Sequence, residues 1–280
     1  MKQIKLYLFI FAVFDCLVWY AVFASLPNTD LKLYFLNVGQ GDSQFVVLPH
    51  GVKFMIDGGS ANNVLAELPK ALTSFDRYID FLIVTHTDLD HLTGLIGVLK
   101  NYEVGAVVYN GKGSDSPELR EFSRLLIERH TPVVVLGEGD TISYNGSVLH
   151  ILSPGLEVFS SAAPNDSAIV MELESKNSKT LFTSDIAFLT EDIILKRYDL
   201  DIDILKVAHH GSRFATSKEF LAEATPKVSV IQVGKNNYGH PTPQTLQNLK
   251  ESDTTLYRND LDGTIELVVD GKSIKVFKGL

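Results

Sequence analysis

The chain has 280 residues, of which 45% are hydrophobic, and a formal net charge of -9 at pH 7. This length and composition allow a sizeable buried core, and the acidic balance argues against a broad basic surface of the kind that binds nucleic acid. Because Cys16 is the one cysteine, a monomer can form neither a disulfide framework nor a cysteine zinc site.

The N-terminal segment, residues 1–26, is dominated by an apolar run over residues 6–26 that is long enough to cross a bilayer. Lys2 and Lys5 precede the run and favour a cytoplasmic N-terminus, with the following residues on the other side of the membrane. Asp15 weakens this interpretation, since a carboxylate is costly inside a bilayer. We predict a membrane anchor that places the body outside the cytoplasm, in the periplasm or at the cell surface. A cleaved signal peptide, which would make the body secreted, and a buried helix are the alternatives.

The rest of the chain, residues 30–280, alternates between short strands and amphipathic helices, and we expect it to form one domain. Two sheets with helices outside them are consistent with this order. Strands are predicted at 31–38, 43–48, 52–56, 80–84, 106–109, 133–136, 141–143, 148–152, 168–173, 180–182, 202–207, 228–233, 265–269 and 273–276, and helices at 65–72, 91–100, 117–129, 189–197 and 243–250.

The segment from Thr85 to His91, which follows a predicted strand, contains two imidazoles and two carboxylates. Such groups conflict when they are buried together unless a divalent cation or a proton intervenes. His86 and Asp88 can face one ion. Asp90 and His91 can then face a second, as in dinuclear hydrolases, where two ions about 3.5–4 Å apart bind the attacking and leaving oxygens. The alternative is a polar loop in which Asp90 caps the next helix.

Two further carboxylates come directly after apolar strands. Asp57 follows the strand at 52–56 and can orient a histidine ligand by accepting a hydrogen bond from it. It can equally open a glycine turn. Asp185 follows the strand at 180–182 and can bridge two ions, although a helix N-cap would have the same sequence context.

Three more histidines lie near predicted element ends. His209 and His210 are adjacent after a strand, and His240 precedes a helix. Adjacent histidines usually point to different sides, so one can bind metal while the other serves as acid, base or substrate contact. His240 is either a further imidazole of the site or a loop histidine held by packing.

Seven sequence blocks occur in order through nearly all of residues 31–270: FLNVGQGDS (35–43), IDGG (56–59), HTDLDHLTG (86–94), NDS (165–167), SD (184–185), HHGS (209–212) and YGHP (238–241). Together they resemble the metallo-β-lactamase fold superfamily and, within it, the hydrolase domain of ComEC-type DNA-uptake (competence) proteins. Those proteins are large and polytopic, whereas this chain has room for one span before the hydrolase. The resemblance therefore implies a stand-alone, membrane-anchored form with a possible DNA-uptake channel partner.

The resemblance implies an α/β layered fold, the αββα metallo-β-lactamase sandwich, with the metal site at one edge between the sheets. The superfamily also uses a ligand histidine where this chain has Asn165 and Ser167, a loss shared by the ComEC-like group. The first metal site is then weaker, and oxygen-rich ligation lets Mn²⁺ or Mg²⁺ compete with Zn²⁺. The implied ligands are His86 and Asp88 for one of two divalent ions, Asp90 and His91 for the other, Asp185 as a bridge, and His209, His210 or His240 as the last histidine, with Asp57, Asn165, Ser167 and Ser212 around them.

The expected function is metal-dependent hydrolysis of a phosphodiester, most simply as a nuclease on DNA or on a small phosphodiester, by a water that bridges the two ions. Asp90 or Asp185 would orient the water, while a histidine among His209, His210 and His240 protonates the leaving group. The ions would supply the positive charge that the surface lacks. A lactonase or β-lactamase-like ester hydrolase on the same fold, and a non-enzymatic membrane-anchored scaffold for DNA uptake, are the alternatives.

Overall fold

The computed structural model of the protein describes residues 2–24, 29–72, 76–159 and 164–280. Short 3-10 turns at Pro164–Ser167 and Ala208–Gly211 accompany its helices and strands. In chain order the elements are α1 (Lys2–Ala24), β1 (Leu31–Phe35), β2 (Gln44–Val47), β3 (Lys53–Ile56), α2 (Val64–Ala71), β4 (Tyr78–Val84), α3 (Leu89–Asn101), β5 (Glu103–Tyr109), α4 (Pro117–Glu128), β6 (Val133–Val135), β7 (Thr141–Tyr144), β8 (Ser147–Ser153), α5 (Leu156–Phe159), β9 (Val170–Ser175), β10 (Ser178–Phe182), α6 (Phe188–Arg197), β11 (Ile204–Lys206), α7 (Lys218–Ala224), β12 (Val228–Ile231), α8 (Pro243–Glu251), β13 (Thr255–Arg258), α9 (Asn259–Asp262), β14 (Ile265–Val269) and β15 (Ile274–Lys278).

Two sheets pack face to face with helices on their outer sides. The first sheet has eight strands in the order β15-β14-β1-β2-β3-β4-β5-β6, and the second has seven in the order β13-β12-β11-β10-β9-β8-β7. Side chains of both sheets, such as Phe35, Phe54, Met171 and Phe182, share one buried cluster between them. This is the αββα sandwich expected from the sequence, and that prediction is confirmed.

The outer layers follow from strands that are apolar on both faces. In β1, Leu33 and Phe35 point between the sheets, while the intervening Tyr34 packs with α2, α3 and α4 in a second cluster. A third cluster lies between the second sheet and the helices α6, α7 and α8. Strands covered on both sides in this way carry continuous apolar runs rather than alternating ones.

The parallel strands at the centre of each sheet bring the polar segments together. β3, β4 and β5 run parallel, and Ile56 of β3 pairs with Ile83 of β4. In the second sheet β10, β11 and β12 are also parallel, and Phe182 pairs with Lys206. The residues that follow these strands therefore meet at one edge of the sandwich, where parallel α/β sheets commonly bind ligands.

Within the N-terminal segment, residues 2–24 form the helix α1. In the part of the chain that the structure describes, no helix is both long enough and apolar enough to cross a membrane. The predicted transmembrane helix is thus not borne out, and the carboxylate of Asp15 interrupts the apolar sequence of α1. The interpretation as a signal peptide stays a prediction.

Several element boundaries differ from those predicted. The strand predicted at 31–38 ends at Phe35, because the chain turns into the loop 36–43, where Leu36 N donates to Ser43 O at 2.9 Å. The helix α7 and the strand β13 were not predicted. α7 is seven residues long and β13 is a partly exposed edge strand, so neither has a clear hydrophobic period in the sequence.

Candidate metal centre

The candidate metal centre lies at the shared edge of the two sheets, where four chain segments converge. Asp57 follows β3, the segment 85–91 follows β4, Asp185 follows β10, and the segment 208–211 follows β11. Nearly all of its predicted metal-binding side chains are buried or partly buried. The site is therefore assembled from residues that are far apart in sequence.

Asp57 orients His91 from behind. Its Oδ2 atom lies 2.8 Å from His91 Nδ1 and accepts a 2.6 Å hydrogen bond from Thr85 Oγ1, while its Oδ1 atom accepts from Thr85 N at 2.9 Å. With Nδ1 bound to a carboxylate, the Nε2 atom of His91 faces the cluster.

Asp185 occupies the centre of the cluster. Its Oδ2 atom lies 3.3 Å from His91 Nε2, 3.3 Å from His210 Nε2 and 3.8 Å from His209 Nε2. One carboxylate oxygen of Asp185 therefore faces three imidazoles.

His210 also contacts Asp90. The Nε2 atom of His210 lies 3.2 Å from Asp90 Oδ2, and its Nδ1 atom lies 2.9 Å from the carbonyl oxygen of Gln232. Both His209 (φ 48°, ψ 48°) and His210 (φ 54°, ψ 22°) have left-handed backbone conformations. Such conformations cost free energy in residues other than glycine and are concentrated at functional sites. They turn the two adjacent imidazoles to different parts of the site.

His86 and Asp88 form the other end of the cluster. His86 is buried, and its Nε2 atom lies 3.8 Å from Asp88 Oδ2, whose side chain is 42% exposed. The ring of His86 lies 4.1 Å from that of His91, measured between centroids. Asp88 is thus more exposed than Asp90, whose side chain is 32% exposed.

His209 and His240 lie on the open side. The side chain of His209 is 31% exposed, and its ring centroid is 5.6 Å from that of His240. The ring of Tyr238, which is 75% exposed, lies 5.9 Å beyond His240. These three rings lead from the solvent to Asp185.

The other predicted residues, Asn165, Ser167 and Ser212, accept hydrogen bonds through their backbone carbonyl oxygens. Ser167 is buried, and its carbonyl oxygen accepts a 2.7 Å hydrogen bond from Asn110 Nδ2. The carbonyl oxygen of Asn165 accepts from Ala168 N, and that of Ser212 accepts from Thr245 Oγ1 at 2.8 Å. Direct contacts of their side chains with the cluster stay predictions.

Sequence reasoning missed two charged residues at the base of the cluster. Lys206, at the end of β11, is fully buried, and its Nζ atom contacts Asp42 Oδ2. Asp42 lies in the FLNVGQGDS block, yet the sequence assigned it no role. A lysine within a buried strand was the available signal, because lysine is almost never fully buried without a partner.

Buried histidines and aspartates of the cluster face one another and shift each other's pKa values. Burial opposes the charged forms, yet Asp185 and Asp57 hold the pKa of His91 well above its usual value, and Asp185 does the same for His210 together with Asp42. Despite its burial, Asp185 has a pKa well below the usual range because His210 and His91 face it. Burial, assisted by the neighbouring His91, lowers the pKa of His86 to about 4, so this imidazole is neutral at pH 7.

These residues fit divalent metal ions. Among the described residues, the Nε2 atoms of His86 and His91 are buried without a hydrogen-bond partner, and neutral imidazole nitrogens with carboxylate oxygens are the donors that Zn²⁺ and Mn²⁺ accept. Three groups of residues could each hold an ion, because within each group the ligand atoms lie within 4.8 Å of one another. The groups are Asp57, His86 and His91; Asp90, His91 and His210; and Asp42, Asp185 and His210.

The fold and the composition of the site agree with a family match over most of the chain. Residues 36–235 match the metallo-beta-lactamase superfamily. The chain therefore belongs to this superfamily, whose fold implies divalent metal ions.

Two curated proteins are similar to the chain over most of its length. It is 28% identical over 258 residues to ComE operon protein 3 of Bacillus subtilis, covering 85% of this chain and 33% of the relative. Competence protein ComA of Neisseria gonorrhoeae is 23% identical over 254 residues, which are 90% of this chain and 34% of that protein. The chain thus spans about a third of the length of these relatives.

Solved structures share the fold at low sequence identity. The metallo-beta-lactamase fold protein YhfI from Bacillus subtilis has a TM-score of 0.59 and 11% identity, covering 89% of this chain and 100% of that one. CmlA, a diiron beta-hydroxylase from Streptomyces venezuelae, has a TM-score of 0.55 and 15% identity, covering 90% of this chain and 55% of CmlA. Because proteins with one fold differ in chemistry, these similarities concern architecture alone.

Proposed function

We propose that this chain is a metal-dependent phosphodiesterase that hydrolyses DNA. The observation that carries the proposal is the convergence of three imidazoles on the Oδ2 atom of Asp185, with distances of 3.3–3.8 Å. Such a cluster of closely opposed donors can hold two ions in the arrangement that catalyses in-line displacement at phosphorus.

We assign the metal ligands from the contacts of each side chain. His86 and Asp88 would hold one ion, and Asp185 would be shared by both. Asp90, His91 and His210 would hold the second, because His210 Nε2 is 3.2 Å from Asp90 Oδ2 whereas the more exposed His209 is 3.8 Å from Asp185. The carboxylate-rich set suits Mn²⁺ and Mg²⁺ as well as Zn²⁺.

Bound divalent ions would supply Lewis-acid activation of water and of the phosphate ester. The side chains of the protein would orient the attacking water and protonate the leaving oxygen. Asp90, partly exposed and with a pKa of about 2 despite its burial because His210 donates to it, stays anionic and can orient the attacking water. His209 lies on the open side and would protonate the leaving oxygen. Burial and the neighbouring His209 lower the pKa of His240, so His240 would contact the substrate as a neutral ring.

DNA as the substrate rests on two supports. The relatives include a protein named as a competence protein, and two exposed aromatic rings belong to the chain segments that carry the histidines. Tyr238, whose ring lies 5.9 Å from that of His240, is 75% exposed. Phe214 follows His210 by four residues and is 56% exposed, with the Arg213 guanidinium 4.8 Å from its ring. Aromatic and arginine side chains of this kind stack on nucleic acid bases. The acidic net charge does not oppose the proposal, because bound metal ions provide the local positive charge.

From the similarity to these relatives, we also propose that the chain acts in DNA uptake. This role would include a channel partner and a location outside the cytoplasm. The proposed hydrolysis itself requires no membrane span.

The test is hydrolysis by the full purified chain with Mn²⁺, Mg²⁺ or Zn²⁺. Substrates are single-stranded DNA, duplex DNA and a small phosphodiester, with a lactone and a β-lactam as acyl controls. We expect metal-dependent cleavage of DNA that is lost in His86→Ala and retained in His150→Ala, a histidine outside the cluster. Cleavage of the acyl substrates alone would identify an ester hydrolase instead, and metal binding without any hydrolysis would favour the scaffold alternative.

A further inference from the structure

A buried ion pair between Asp42 and Lys206 lies beneath the metal centre. Both side chains are at most 1% exposed, Lys206 Nζ contacts Asp42 Oδ2, and it also donates a 2.9 Å hydrogen bond to the carbonyl oxygen of Ser184. Burying an ion pair is costly, and such pairs do not in general stabilise a fold more than apolar residues would. The pair therefore calls for an explanation other than stability.

The Asp42–Lys206 pair contacts two of the proposed metal ligands at the atoms that point away from the cluster. Asp42 Oδ1 lies 3.2 Å from His210 Nδ1, and Lys206 Nζ lies 3.7 Å from Asp185 Oδ1. The opposite atoms of those ligands, His210 Nε2 and Asp185 Oδ2, are the ones that face each other at 3.3 Å. The pair thus lies against the Nδ1 side of His210, beside the hydrogen bond to the Gln232 carbonyl oxygen, and against the Oδ1 side of Asp185.

The loop that carries Asp42 also touches the third ligand. Asp42 N donates to the carbonyl oxygen of Asp90 at 3.1 Å. A Cβ atom at Gly41 would lie 2.3 Å from that same oxygen, and Gly41 has a φ of +125°. Glycine is therefore required for the loop to approach Asp90 so closely.

We propose that the Asp42–Lys206 pair positions the metal centre by holding His210, Asp185 and Asp90 in their metal-binding orientations. This inference rests on the proposed function, because it takes these three residues as metal ligands. Lysine alone would repel the metal ions, and Asp42 cancels that charge. The pair is thus a charge-neutral support that aims one oxygen of Asp185 at the cluster.

The test uses the double variant Lys206→Met/Asp42→Asn, which removes both charges and leaves the net charge unchanged. The matched control is Lys227→Met/Asp203→Asn, which removes an exposed ion pair with an Nζ–Oδ1 distance of 2.6 Å. Affinity for Mn²⁺ and for Zn²⁺ is measured by competition with a chromophoric chelator, and folding is checked by circular dichroism. We expect roughly 10–100-fold weaker metal binding in the folded double variant and wild-type affinity in the control.

A purely structural role would give a different pattern. If the folded double variant binds both metals with wild-type affinity, the positioning role is wrong while the proposed function stands. If the wild-type chain itself binds neither metal, both are wrong. The second variant, Lys206→Gln/Asp42→Asn, keeps polar groups in the buried space, and its affinity decides the question if the methionine variant does not fold.

Discussion

In the candidate metal centre, the Nδ1 atoms of His91 and His210 point away from the cluster and have different partners. His91 Nδ1 is held by Asp57, and His210 Nδ1 faces the carbonyl oxygen of Gln232. Both rings thereby present Nε2 to Asp185, whereas His209 has greater exposure and freedom. The identity of the ligand atom is thus set by residues that would not themselves touch metal.

Asp57→Asn tests this orientation. The amide can still accept from Thr85 N but is a weaker partner for His91 Nδ1, so we expect roughly 10–100-fold weaker metal binding with little change in fold. Asp80→Asn is the control, since Asp80 Oδ2 accepts a 2.7 Å hydrogen bond from Lys53 N away from the cluster. Equal metal affinity in wild type and Asp57→Asn would contradict the role of Asp57.

The proposed division of labour between the histidines gives a second prediction. We expect His209→Ala to lower kcat for DNA hydrolysis by roughly 10²–10⁴-fold, the usual contribution of a general acid, while metal content measured by atomic emission stays at the wild-type level. His210→Ala should lose metal. Metal loss in His209→Ala with retention in His210→Ala would reverse the assignment.

At the scale of elements, the site depends on a close approach between the loop after β3 and the helix α3. Gly58 N donates to the carbonyl oxygen of His91 at 2.7 Å, and Gly94 N donates to the carbonyl oxygen of Gly59 at 2.9 Å. A Cβ atom at Gly94 would lie 1.8 Å from Gly58 O. The loop with Asp57 and the helix with His91 therefore fit together only with glycine at this position.

Gly94→Ala should accordingly destabilise the protein by about 2 kcal/mol or more, through overpacking against backbone that cannot move aside, although alanine is the better helix former by about 1 kcal/mol. In Gly113→Ala the nearest atom would be 3.7 Å away, and we expect a change within about 0.5 kcal/mol. Urea unfolding measures both. Similar stabilities of the two variants would show that the close approach is not required.

The alternation of short strands and amphipathic helices predicted two sheets with outer helices, the family resemblance implied the αββα sandwich, and the dense cluster of donors between Thr85 and His91 predicted the HTDLDH ligands. The sequence left open which of His209, His210 and His240 is the last histidine ligand, since the directions of the first two rings depend on a left-handed backbone that has no signal in the sequence. Nor did it find the Asp42–Lys206 pair, because Asp42 lies in the loop between β1 and β2 of the first sheet and Lys206 lies in β11 of the second. Contacts between elements distant in sequence leave no local pattern.

At the scale of the whole molecule, the metal centre joins the two sheets, so metal binding should stabilise the entire fold. At a metal concentration of 100 Kd, one ion bound to the native state alone adds about 2.7 kcal/mol, which for a chain of this size raises Tm by about 5 °C or more. Thermal unfolding with metal and with excess EDTA measures the difference. The His86→Ala variant should show a smaller difference, and equal shifts in the two proteins would place the bound metal elsewhere.

The cluster is proposed to bind divalent metal and to use it to hydrolyse phosphodiesters. This is tested by the metal content of the full chain together with its cleavage of DNA, for wild type and for Asp185→Asn. We expect about two ions per wild-type chain, DNA cleavage that EDTA abolishes and Mn²⁺ or Zn²⁺ restores, and loss of metal and cleavage together in Asp185→Asn. A wild-type chain without bound metal, or cleavage that persists in Asp185→Asn, would contradict the proposal.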